Sequence, residues 1–132
     1  MLGDNLVPSV SWKQGEFREI CAEALAEFDW FQQHLSATLR GCNGGTDLSA
    51  IQESFTLADA RYRKTVELVA QLSLRFGKKV KGRKLTDWTP QEVADNALVR
   101  ALQGLVSTTM NHLLGAYRPW LAKAQFTEGA EC

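Results

Sequence analysis

The fold is decided by residues 48–76, which read LSAIQESFTLADARYRKTVELVAQLSLRF. Apolar side chains recur along this stretch at alternating spacings of three and four residues, with Thr65 as the one polar member. The stripe consists of Leu48, Ile51, Phe55, Ala58, Tyr62, Thr65, Val69, Leu72 and Phe76. This spacing is typical of an amphipathic α-helix that buries one side. It predicts a long helix at about 47–77, capped by Asp47 or Thr46 and ended by Gly77.

A second stripe with the same spacing precedes this helix. It consists of Phe17, Cys21, Ala24, Phe28, Phe31 and Leu35. We therefore predict another helix at about 14–40, with Ser11 as its capping residue. The glycine-rich residues 41–46 favour a tight turn between two antiparallel helices.

A turn centred near residue 43 also predicts which residues of this hairpin face each other, because both helices rise equally per residue. Phe31 would lie opposite Phe55, Ala24 opposite Tyr62 and Phe17 opposite Val69. The same register brings Glu23 and Glu27 close to three basic residues of the second helix, and we expect exposed salt bridges there. Those basic residues are Arg61, Arg63 and Lys64.

The third helix has the clearest start signal in the chain. Thr89, Pro90 and Glu92 have the spacing of a capping box, with proline at the position where its missing N–H costs least. We predict a helix at about 90–117. Pro119 should end it, and a short helix should follow this proline.

The third helix is apolar on more than one side. One stripe consists of Ala94, Leu98, Ala101, Leu105, Thr108 and His112; a second of Val99, Leu102, Val106, Met110, Leu113 and Tyr117. We predict that the three long helices pack as an antiparallel bundle. Because one hairpin groove needs only one stripe, this bundle is expected to be completed by self-association as a homodimer, or by a protein partner bound through helix 3. The predicted interface residues are Trp30, Val99, Val106, Met110, Leu113 and Tyr117.

Length and composition indicate one ordinary globular domain. The chain has 132 residues, of which 45% are hydrophobic and 23% charged, so it can bury a core without metal or disulfide. We predict an all-α domain over residues 1–132, with an irregular leader at 1–10, a basic connection at 78–89 and a frayed tail at 127–132. The sequence contains no apolar run long enough to span a membrane and no signal-peptide pattern, and its three cysteines match no metal pattern, so a cytoplasmic protein is expected.

No combination of residues in the sequence predicts catalysis. Neither His34 nor His112 has a glutamate three residues before it, as helical di-iron sites require. Cys42 is expected to be exposed, but no base lies beside it to lower its pKa. We predict no catalytic residue, no metal and no cofactor, and hence a protein that is not an enzyme.

One basic segment asks for a functional explanation. Residues 47–84 carry nine basic and four acidic residues in a chain whose formal net charge is zero. Six of those bases lie within ten residues, and Trp88 follows as a possible stacking platform for a nucleic-acid base. The candidate nucleic-acid-binding residues are Arg75, Lys78, Lys79, Lys81, Arg83, Lys84 and Trp88. The alternative is a segment that only solubilises the protein or meets an acidic partner.

These observations leave three functional hypotheses. The leading one is a non-enzymatic interaction or assembly protein that self-associates or docks into a larger complex. The second is a nucleic-acid-binding accessory protein that uses Arg75–Lys84. The third is a ligand pocket between the helices, lined by Phe28, Phe31, Phe55 and Tyr62.

Overall fold

The structure, a computed structural model, describes residues 14–45 and 47–131. It consists of three long helices: α1 (Gln14–Gly44), α2 (Leu48–Val80) and α3 (Pro90–Glu131). A short 3-10 turn, Leu85–Asp87, lies between α2 and α3, and the described residues contain no β-strand. The predicted all-helical class and its three long helices are confirmed. The predicted leader at 1–10 and the predicted cap Ser11 lie outside the described residues.

The helix α2 begins where the sequence predicts but ends three residues later. Asp47 is its N-cap, and the Asp47 carboxylate accepts a hydrogen bond of 3.0 Å from the backbone N–H of Ala50. The predicted end at Gly77 is wrong, because the helix continues to Val80, whose side chain is buried. The left-handed residue that follows is Gly82, with a φ of 78°. The first three residues of the predicted connection 78–89 are therefore helical.

The helix α1 also ends later than predicted, at Gly44, because Gly41 does not end it. A Cβ atom at residue 41 would lie 2.5 Å from Cγ1 of Ile51. Glycine at this position therefore lets α1 and α2 approach each other closely, and the helix continues to Gly44. The turn follows Gly44 instead of being centred near residue 43, so the predicted pairing of the two helices is displaced by a few residues. The ring of Phe31, for example, contacts that of Tyr62, with 5.7 Å between the centroids.

Ion pairs between α1 and α2 show that the two helices run antiparallel. Arg61 donates to both carboxylate oxygens of Glu27, at 3.0 and 3.2 Å, and Arg75 pairs with Glu16 near the far end. The predicted contact of Glu27 with Arg61 is confirmed. Arg63 instead pairs with Asp59, four residues before it on α2.

The helix α3 is longer than predicted, because Pro119 does not end it. The separate short helix predicted after Pro119 is therefore not found, and residues 127–131 of the predicted frayed tail are helical. Proline crowds the carbonyl four residues before it and removes its hydrogen bond. Here that residue is Gly115, which is exposed, so its carbonyl can tilt toward water. Beyond the proline, half-buried Trp120 lies against Tyr117 and favours continuation, with ring centroids 5.7 Å apart.

Residues of all three helices share the core. One cluster contains the start of α1, the second half of α2 and Val99 and Leu102 of α3. The other contains Phe28 and Phe31 of α1, Ala58 of α2 and three α3 residues: Val106, Met110 and Leu113. The early part of α1 thus meets the early part of α3, and these two helices run in the same direction, with α2 antiparallel to both.

Candidate interaction surfaces

Of the two apolar stripes of α3, one is buried in the core and the other is exposed. The second stripe fills the groove of the hairpin: Val99, Leu102, Val106, Met110, Leu113 and Tyr117 are all buried. Five of the six predicted interface residues belong to this stripe. They lie in the core of the single chain, so they are not on a surface that a partner can reach. The sequence could not show this, because both stripes have the spacing of a buried helix side.

The first stripe of α3 points away from the core. All six of its residues, Ala94, Leu98, Ala101, Leu105, Thr108 and His112, are exposed. His112 therefore lies on the surface of the single chain and not in its core. Leu98 and Leu105, seven residues apart on the same side of the helix, have exposed fractions of 39% and 51%.

We call the centre of this surface the outer face of α3, and it consists of Ala94, Ala97, Leu98, Ala101, Gly104 and Leu105. Its side chains are small or apolar. Among the exposed residues of 93–116, Arg100 is the only one with a formal charge at pH 7, histidine being counted as neutral. The exposed residues of α1 and α2, by contrast, include five charged side chains in each helix. A helix without a charged side is typically covered by other protein.

The outer face also has room for a close neighbour. Ala94, Ala97, Ala101 and Gly104 recur at spacings of three, four and three residues. A Cβ atom at Gly104 would find no atom within 4 Å. A second helix could therefore approach α3 closely here, since small side chains set a short distance between helix axes.

Trp30, the sixth predicted interface residue, lies on another side of the molecule. Its exposed fraction is 48%, the guanidinium of Arg61 lies 5.2 Å from the centre of its ring, and His34 stacks against it with centroids 6.1 Å apart. These contacts hold Trp30 at the junction of α1 and α2, so the structure does not join it to the five buried α3 residues in one surface.

The basic segment is divided between paired and exposed residues. Arg75 pairs with Glu16 of α1, while Lys79 and Arg83 pair with Glu92 of α3 at 3.8 and 2.7 Å. The remaining three bases are exposed: Lys78, Lys81 and Lys84. Half of the predicted nucleic-acid-binding cations thus hold the helices together, which was not evident from the sequence because their acidic partners are distant along the chain.

Trp88 is not presented as a stacking platform. Its ring packs edge-on against Phe76, with centroids 5.3 Å apart and an interplanar angle of 81°. The indole Nε1 is buried and has no hydrogen-bond partner among the described residues. The ring therefore covers the end of the core at the α2–α3 connection.

Glu92 has a larger role than the capping box alone implies. The predicted box is confirmed: the Thr89 Oγ1 accepts from the Glu92 N–H at 3.1 Å, and a Glu92 oxygen accepts from the Thr89 N–H at 2.9 Å. Arg83 also donates to both Glu92 oxygens, at 2.7 and 2.8 Å. The hydrogen bonds from Arg83, followed by the one from Thr89, lower the pKa of the buried Glu92 to about 2.

Sequence reasoning missed a second buried carboxylate, that of Asp95. Gln91 donates to its Oδ1 at 2.8 Å, but Oδ2 is buried without a partner among the described residues. Burial, and then the charge of Asp95, raise the pKa of the Cys21 thiol. A signal was present, because Glu92 and Asp95 continue the stripe of Val99 and Leu102 backwards at spacings of three and four residues.

The other candidate chemical groups remain apart. Cys42 is half-buried and free, and burial raises the pKa of its thiol. The expectation that it is exposed is wrong, because α1 continues to Gly44 and Cys42 belongs to this helix and not to the turn. Cys132 lies outside the described residues. Within 14–45 and 47–131, no group of three histidine, cysteine or acidic side chains is placed to hold a metal ion.

The described residues form an all-α fold of three long helices. None of the described helices combines the length and the hydropathy that a membrane crossing requires. Comparisons with protein-family models, with curated proteins and with solved structures found no match to this chain.

Proposed function

We propose that this protein is a non-enzymatic interaction protein that self-associates through the outer face of α3. The observation that supports the proposal is the run of small and apolar exposed residues from Ala94 to Leu105, with Arg100 as its only formal charge. The partner that fits best is α3 of a second copy. When two such faces meet, their small residues let the helices approach closely, and Leu98 and Leu105 become buried.

Burial supplies the driving force for this association. Leu98 and Leu105 are each about half exposed in the single chain, and full burial of a leucine stabilises by roughly 1.5–3 kcal/mol relative to full exposure. The small neighbours reduce the entropy lost on association, because alanine and glycine have no rotamers to order. A two-fold axis uses the same face on both copies and leaves no open surface for further growth.

The test is the molar mass in solution, measured by size-exclusion chromatography with light scattering from low to tens of micromolar protein. The wild type should approach twice the chain mass. Ala101→Glu should be monomeric, because it places a charge in the centre of the face, and so should Gly104→Leu, because its side chain fits the open space of the single chain but keeps a second helix away.

The matched control is Ala60→Glu, which introduces the same charge on the exposed side of α2 and should leave the mass unchanged. Circular dichroism establishes that all variants are equally helical. A wild-type monomer over the whole concentration range contradicts the proposal, and so does a dimer that survives both outer-face substitutions.

A further inference from the structure

A groove runs between α2 and α3 on a side of α3 that is separate from its outer face. It contains two adjoining hollows with volumes of about 500 and 300 Å³, and Tyr62 lines both. Pockets for small molecules typically have volumes of roughly 300–1,000 Å³. On α2 the groove extends from Phe55 to Ala70, which corresponds to about 22 Å at the rise of an α-helix.

The wall and floor of the groove are mainly apolar and aromatic. Phe55 and Tyr117 stack at the larger hollow, with centroids 3.8 Å apart and an interplanar angle of 3°. Met110 lies in the larger hollow and Val106 in the smaller one. Val66, which lines the smaller hollow, is 42% exposed. The groove therefore presents apolar surface that water covers in the single chain.

The polar groups of the larger hollow have an excess of positive charge. Asp59 is already paired with Arg63, at 2.9 Å. Arg118 is exposed, and no carboxylate among the described residues pairs with it. Asn111 lies on the same rim and adds a neutral amide that can donate a hydrogen bond. An anionic group would balance the charge, and a guanidinium binds carboxylate oxygens in pairs.

We propose that this groove binds an anionic amphiphile of the fatty-acid type. The carboxylate lies between Arg118 and Arg63 at the rim of the larger hollow, where Asn111 can also donate to it. The acyl chain covers the aromatic surface beside Tyr62 and continues over Val66 in the smaller hollow. From Asp59, beside the proposed carboxylate site, to Ala70 the groove measures about 16 Å along α2, which suits an acyl chain of the length of dodecanoate. Its single uncompensated arginine selects an anion over a neutral or cationic amphiphile.

The experiment measures binding of 11-(dansylamino)undecanoic acid by its fluorescence, with unlabelled dodecanoate as the competitor. We expect saturable binding that dodecanoate displaces below its micelle concentration, while dodecylamine and methyl dodecanoate displace the probe poorly. Arg63→Gln/Arg118→Gln should raise the Kd about tenfold, because two charge-assisted contacts are lost. Ser107→Phe, which fills the smaller hollow from an exposed position, should also weaken binding.

The matched controls are Arg18→Gln and Ser36→Phe, which make the same changes at exposed positions of α1 and should bind the probe as the wild type does. Gly104→Leu should also bind normally, which separates this site from the proposed self-association. Circular dichroism checks that each variant is folded. Three outcomes overturn the proposal: no saturable binding, equal displacement by the amine, or an unchanged Kd in the double arginine variant.

Discussion

At the start of α3, the carboxylate of Glu92 accepts hydrogen bonds from Arg83, which follows α2, and from the backbone of Thr89. Only 4% of its side chain is exposed, against 36% for that of Arg83. Most of the cost of breaking this contact therefore comes from the buried partner, whose remaining polar atoms water cannot reach.

We expect Glu92→Gln to lower the free energy of unfolding by about 1–3 kcal/mol, because a buried carboxylate that accepts charged donors is replaced by a neutral amide. Urea denaturation at neutral pH measures the change. Glu19→Gln removes the same charge from an exposed position of α1 and should alter stability by less than about 0.5 kcal/mol. Equal effects of the two substitutions would show that Glu92 has no special role.

The lowered pKa of Glu92 also predicts how stability depends on pH. Since the pKa falls from its ordinary value of 4.5 to about 2 on folding, the unfolded chain binds a proton there more readily than the folded chain does. The stabilisation is complete above the ordinary pKa and is lost as the pH falls from 4.5 toward 2. Urea denaturation at several pH values in that range should show a smaller loss for Glu92→Gln than for the wild type. Parallel pH profiles would contradict the assignment.

At the scale of the helix, Pro119 weakens α3 without ending it. Its nitrogen cannot donate to the carbonyl of Gly115, yet the helix continues to Glu131. The partly buried Trp120 and Leu121 beyond the proline contribute packing that offsets this loss.

We expect Pro119→Ala to raise the free energy of unfolding by about 1–2 kcal/mol. Alanine restores the hydrogen bond and is roughly 3 kcal/mol more favourable than proline inside a helix, but it also gives the unfolded chain more freedom. Thermal and urea denaturation measure the gain. Gln125→Ala, at an exposed position of the same helix, is the control and should have little effect. A loss of stability in Pro119→Ala would show that the proline ring makes a contact α3 needs.

At the scale of the whole molecule, the proposed self-association predicts that stability depends on protein concentration. Association stabilises the folded state by mass action, so the Tm of the wild type should rise by a few degrees for each tenfold increase in concentration. The Tm of Ala101→Glu should not change with concentration. Differential scanning calorimetry at several concentrations measures both, and a constant Tm for the wild type would contradict self-association.

The part of the structure that can be predicted from the sequence differs between the core and the surface. The spacing of Phe17 to Leu35 and of Leu48 to Phe76 identified two of the helices and their buried sides, because hydrophobic periodicity is a local property. Helix ends also depend on contacts with other parts of the chain. Gly41 and Gly77 resemble end signals, yet the contact of Gly41 with Ile51 and the burial of Val80 extend both helices.

The sequence alone specifies the three helices, the capping box of Glu92 and the antiparallel pairing of the first two helices, since each depends on residues near one another along the chain. Which stripe of α3 is core and which is surface depends on how the helices pack, because the two stripes are equally periodic and the hairpin has room for one. The tertiary structure also decided that Lys79 and Arg83 meet Glu92 and that Arg63 and Arg118 line one groove. Charges distant in sequence come together only when the helices pack.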